Sequence, residues 1–365
     1  MATTRLRFRP EFFSDRPLEL VSLGELKVTA FKYETGIPAL RVENSRSSMV
    51  VLPYYGMQVW FLEFDGRPMA QKSMFEAPQD TTKFGDNYGG FLYHCGLNNI
   101  NGAGDGEDPY PIHDVLPFAS YRDAWIETGE DEDGCFVAIG GTYVFRNSQE
   151  LHWAYTPELR LYEGAAMVEM QATIENRRTH PLEYLWLCHM NWLGHDGSRF
   201  VYSCRKDADH IMVSPMDLGD GSPRDEAIKA WSQALLDDPT LADALGQEGE
   251  AYDPELCINY RYDADEQGWA HAMRVMPEGD ACYVGWELEK APWALRWFCR
   301  TGDEDGIGIA LPSTGTNHST AYQRAHGYCN TLEPGGVDVL RWRFGYLLPD
   351  EVQGMTNRID AILEG

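Results

Sequence analysis

The sequence predicts an all-β protein, a sandwich of stacked sheets interrupted by one short helical excursion. Apolar and polar residues alternate with period two along many short runs. Gly, Pro, Asn and Asp separate those runs, and helical spacing is scarce.

The clearest strand is 166–175, where Ala166, Val168, Met170, Ala172 and Ile174 alternate with mostly polar neighbours. After a turn at Asn176-Arg177-Arg178, the run 182–192 alternates again. Leu182, Tyr184, Trp186, Cys188 and Met190 share one face; Leu185, Leu187, His189 and Asn191 share the other. Further strands are expected over 49–64, 135–145, 282–288, 294–300, 306–311 and 337–347. The best helical segment is 223–236, with Ala227, Ile228, Trp231 and Leu235 at helical spacing. With the acidic, Ala-rich stretch after it, it reads as a solvated excursion over 219–253 inserted in a β domain. There is no internal repeat or linker, so 1–365 is expected to form one domain.

Composition narrows the function. Lys and Arg total 30 against 57 Asp and Glu, a net charge of −27, which repels nucleic acid and anionic membrane. A 43% hydrophobic and 12% aromatic chain of this length can bury a large core. Its eight cysteines contain no CxxC pair, which argues against a zinc knuckle or a disulfide framework. Arginine comes too early in MATTRLRFRPEFF for a signal peptide, and no apolar run has the length of a membrane span. A cytoplasmic protein is expected.

The most informative stretch is 89–113, GGFLYHCGLNNINGAGDGEDPYPIH. An apolar, strand-like run leads into a Gly/Asn/Asp-rich loop that ends on His113, the way a scaffold presents a site. Asp114 beside it would raise the histidine's pKa and suit it to general acid chemistry; a loop histidine making a surface hydrogen bond is the other reading. His189 lies on a strand on the same face as Asn191, either as a satisfied core histidine or facing a ligand. The amide of Asn191 both donates and accepts, as sugar hydroxyls require.

These runs, with Leu187–Trp192 and Ser198-Arg199-Phe200, resemble the aldose 1-epimerase family, within the galactose mutarotase-like superfamily. The matching motifs are Cys95-Gly96-Leu97, Tyr110–His113 and His189–Asn191, and the resemblance spans about residues 35–348. It implies a β-supersandwich carrying a carbohydrate site and an isomerase that interconverts sugar anomers. His189 would protonate the ring oxygen, and His113 would hold substrate hydroxyls. No cofactor is required for such chemistry, and a homodimer is an allowed assembly.

The family's base is a late glutamate in an EP-like turn. Leu311 stands in its place within 308–314, and Glu333-Pro334 is followed by Gly335-Gly336. The turn after His113 lacks the family's Gly-Arg. His94 and His318 are additions, and with Asp114 they extend the candidate site. His94, His113 and His189 are candidate ligands for a divalent metal, which would serve a rewired lyase or ketol-isomerase. A sugar-binding protein without turnover is the third reading. Tyr110 and Trp192 are candidate stacking surfaces for a sugar, or core packing. Arg122 and Arg296 are candidate grips for a carboxylate or sulfonate, which would make the sugar anionic.

Overall fold

The computed structural model describes residues 3–100 and 110–365. The loop residues 101–109 of the 89–113 stretch lie outside the described residues.

Two antiparallel sheets face each other. One has nine strands and the other thirteen. The thirteen-stranded sheet positions the site. Its central strand, Leu182–Met190, pairs on one side with Leu92–Leu97 and on the other with Asp305–Ser313. Asp305–Ser313 in turn pairs with Trp293–Arg300, and that strand with Leu256–Arg261. The predicted alternation of Leu182–Met190 sorts its residues between two environments. Trp186 and Cys188 point between the sheets, where Trp186 packs 5.0 Å from Trp342 of the nine-stranded sheet. His189 points to the other side.

The main buried cluster draws residues from Phe8 to Tyr346 and includes such inward residues of both sheets, with two smaller clusters beside it. Leu182–Met190 and Met167–Asn176 form close to their predicted bounds. The predicted 49–64 run divides into Ser47–Leu52 and Gln58–Phe64, because residues 53–57 turn. Pro53 cannot donate to a ladder, and Gly56 and Met57 adopt positive φ. The next turn, Asp65-Gly66, has φ of 49° and 74°, as a tight hairpin requires.

The excursion forms helix Pro223–Asp237, capped by the Ser222 hydroxyl, which accepts from the Asp225 N–H at 3.1 Å. A second long helix, Pro349–Glu364, was not expected; its buried positions are Val352 and Ile359. Seven residues separate them, two turns of helix, so the apolar stripe is too thin for a clear 3.6 period. No helix among the described residues is long and apolar enough to cross a membrane.

Candidate active site

The site lies on the face of the thirteen-stranded sheet turned away from its partner. His189 is 4% exposed and is opposite Tyr93 in the ladder. Three aromatic rings and a second histidine surround it. Trp297 lies 5.1 Å away, Tyr88 5.6 Å and His113 5.4 Å, all close to edge-on. Phe84 closes the group, 4.6 Å from both His113 and Tyr88. The Tyr88 hydroxyl lies 3.1 Å from His189 Nε2 and 3.3 Å from Asn191 Oδ1. Asn191 donates its amide to the Gly90 carbonyl at 3.0 Å.

The Cys95-Gly96-Leu97 run has a steric reason. A Cβ on Gly96 would sit 2.3 Å from the Leu185 carbonyl oxygen, and its φ is +116°. Gly96 N–H donates to the His113 carbonyl at 3.1 Å, which ties the histidine's turn to the strand. Asp114 closes the same loop base. One of its oxygens accepts from the Asn98 backbone at 2.7 Å and side chain at 2.8 Å. His113 and Asp114 both have left-handed φ, 59° and 63°. The second is where the family's glycine would stand, and a short Asp tolerates that conformation better than most side chains.

His113 Nδ1–H donates to the Ile100 carbonyl at 2.8 Å, leaving Nε2 as the free acceptor. Its pKa goes down, to about 4, because burial disfavours the imidazolium. This reverses the expected upward shift, since the Asp114 carboxyl is turned to Asn98. His189 is held well below the ordinary histidine range, by burial first and by His113 second. Burial raises Asp114 to about 7, and its Oδ1 has no partner. Both imidazole rings are therefore neutral at neutral pH.

Other expected residues are elsewhere. His94 is opposite Cys188, so alternation points it between the sheets, where its Nδ1 meets the Tyr155 hydroxyl at 2.8 Å. The three histidines proposed for a metal therefore do not converge, and no group of three or more metal-ligating side chains is assembled among the described residues. Trp192 is buried between the sheets against Phe91 and Phe344. Arg296, 1% exposed, also points inward. It pairs with Asp243 at 3.2 Å and lies over the rings of Phe200, Tyr202 and Tyr260, so it grips the protein's own side chains. Arg122 is exposed and lines a separate cavity of about 640 Å³ with Arg146 and Arg177. His318 stacks on Tyr322 at 4.2 Å in the loop after Ser313. Tyr110 is half-buried at the start of the 110–365 segment.

Leu311 is buried opposite Leu295, and its side chain lies over Gly308. Sequence reasoning missed Phe84 and Glu255. Glu255 Oε2 accepts from Trp297 Nε1 at 2.6 Å. Its only sequence signal is that it precedes Cys257 by two positions on a strand whose pairing partner is distant in the chain.

The comparisons agree with this architecture. A family model described as a domain of unknown function (DUF4432) matches residues 34–209. No curated protein matches the chain by sequence. Among solved structures, a candidate aldose 1-epimerase from Klebsiella pneumoniae superposes with a TM-score of 0.80 at 14% identity, covering 99% of this chain and 96% of its own. A galactose mutarotase-like protein from Clostridium acetobutylicum gives 0.59 at 12% identity, over 89% and 99%. A candidate aldose 1-epimerase from Escherichia coli K12 gives 0.53 at 12%, over 91% and 99%. The fold is thus the galactose mutarotase-like β-sandwich that the sequence motifs implied.

Proposed function

We propose that this protein is a carbohydrate-active enzyme of the aldose 1-epimerase type, which opens and recloses a sugar hemiacetal. The observation that carries the reading is the facing pair His113 and His189, 5.4 Å apart, within a wall of Phe84, Tyr88 and Trp297. Aromatic faces suit the C–H faces of a pyranose, and the polar tips of Tyr88 and Asn191 suit its hydroxyls. Ring opening needs a proton delivered to the ring oxygen and another taken from the anomeric hydroxyl. His189, with Tyr88 and Asn191 behind it, is the donor in this reading. His113, whose Nε2 is left open, orients the sugar.

Leu311 supports a second reading, a sugar-binding protein without turnover, because leucine cannot accept a proton. One experiment separates the two. Freshly dissolved α-anomers of a broad aldose panel, including uronic acids, are followed by proton NMR. Faster equilibration by the wild type and its loss in His189→Ala are expected. Saturable binding of a sugar whose anomers equilibrate at the buffer rate selects the binding protein instead.

A further inference from the structure

We propose that Glu255 is the proton acceptor of the site, standing in for the glutamate whose position Leu311 occupies; this rests on the epimerase-type reading above. Register and alternation bring it there. Cys257 is opposite Trp297 in the ladder, so Glu255, two residues earlier, emerges on the same face of the sheet as Trp297 and His189. The Trp297 indole N–H then fixes one carboxylate oxygen at 2.6 Å and leaves the other for a ligand. The same indole lies edge-on to His189 and Tyr88, at 5.1 and 5.6 Å. One aromatic ring, about the footprint of a pyranose, therefore separates the carboxylate from the imidazole.

The neighbouring carboxylates are already engaged. Asp114 is held by Asn98, and Asp305 by Arg300. Glu304 accepts from the Cys299 thiol at 3.6 Å, two strand positions beyond Trp297. Glu255 is the carboxylate that touches the aromatic wall among the described residues, and its charge reaches Tyr88, adding to the upward push of burial on that phenol. It is exposed, so it can exchange protons with water.

The step balances with these two groups. A Glu255 oxygen takes the proton of the anomeric hydroxyl. The O1 electron pair forms C1=O1 while the C1–O5 bond breaks, and O5 keeps that bond pair and takes a proton from protonated His189. Glu255 ends neutral and His189 ends neutral. Rotation about C1–C2 and the reverse transfers give the other anomer and restore both residues. Burial and His113 disfavour the charged imidazole, so the donor is the minor protonated form of His189.

The test compares wild type, Glu255→Gln and Glu255→Asp on whichever aldose the wild type equilibrates, with near-UV circular dichroism to check the fold. Loss of the base is expected to lower kcat by about 10²-fold or more in Glu255→Gln with little change in KM, and to abolish the acidic limb of the kcat/KM profile. Glu255→Asp, which keeps a carboxylate, is expected to retain at least about tenfold more kcat than the amide. If Glu255→Gln keeps the kcat and pH profile of an active wild type, or if the Asp and Gln variants are equally impaired, Glu255 is not the base and the epimerase reading stands without it. A wild type inert towards every sugar overturns both.

Discussion

The Tyr88 hydroxyl lies 3.1 Å from Nε2 of His189 and so joins the loop before the Leu92–Leu97 strand to the centre of the sheet. The same hydroxyl reaches Asn191 Oδ1 at 3.3 Å. Having one proton, it donates to one of these partners and accepts from the other only if His189 carries hydrogen on Nε2. Donation to Asn191 therefore presents His189 as a donor through Nε2, with Tyr88 setting the tautomer.

Tyr88→Phe removes this control while keeping the ring that packs on Phe84 and Trp297. It leaves two buried polar atoms unpaired, at a stability cost of about 1–3 kcal/mol. Thermal melts should show that loss. Under the epimerase reading, kcat should fall by about 10-fold or more, since His189 loses the group that holds its orientation. A variant with wild-type kcat would remove Tyr88 from the proton path.

Stability should fall as the solution is acidified, well above the pH of carboxylate protonation. His94 is lowered to about 3, His113 to about 4, and His189 well below its ordinary value, each mainly by burial. An unfolded histidine takes up its proton near pH 6.5 and the folded ones do not. The unfolded state thus binds more protons between about pH 6.5 and 4, so stability is full above that window and lost as pH falls through it. Each such ring contributes about 1.4 kcal/mol per pH unit there. Asp114, raised to about 7, opposes one of the three. Denaturant unfolding at pH 7.5 and 5 should show the drop, and His113→Asn should reduce its slope. Activity should move the other way between pH 8 and 6, because only the protonated fraction of His189 serves as donor. A kcat/KM that falls with stability over that range would count against His189 in this role.

Much of the site was legible because its signals are local. Alternation within 182–192 separated His189 from Cys188, and the glycine of Cys95-Gly96-Leu97 marked a backbone contact that admits no Cβ. The errors share one cause. His94 and Arg296 were chosen by residue type, yet each alternates with a neighbour on the site face, Tyr93 and Trp297, and so points inward. Glu255 was invisible for the complementary reason. Its relation to Trp297 depends on the pairing of two strands about forty residues apart, and cross-strand register is non-local information. The helix Pro349–Glu364 buries only two side chains, too few to show as a period.

Arg296 gives a direct test of inward placement. It is buried against three aromatic rings and paired with Asp243 in the excursion's second turn, Pro239–Asp243. Arg296→Met should cost about 1–3 kcal/mol, because it leaves the buried Ala242 carbonyl without the guanidinium donor while Lys206 still pairs with Asp243 at 2.6 Å. The KM for any sugar that the wild type turns over should stay unchanged. Weakened affinity for anionic sugars, with neutral ones unaffected, would restore Arg296 as a substrate grip.

Asp114 offers the cleanest separation of a positioning role from a catalytic one. Its carboxyl is turned to Asn98 and away from His113, and burial raises it to about 7. Because the folded pKa lies above the unfolded value near 3.9, the folded state holds the proton longer. The contribution of this one carboxyl to stability is therefore lost as pH rises from about 4 to 7, by about 1.4 kcal/mol per unit and no further above 7, against the larger opposite trend of the three histidines. Asp114→Asn does not titrate, tolerates the left-handed φ, and can accept both Asn98 donors through Oδ1. It should match the wild type near pH 4 and exceed it progressively to pH 7, which parallel denaturant titrations would reveal. Its kcat should remain close to wild type, since the loop base that holds His113 is preserved. A large fall in kcat with this gain in stability would instead make the Asp114 proton part of the reaction, for then the buried carboxyl would be kept at the expense of stability for its chemistry.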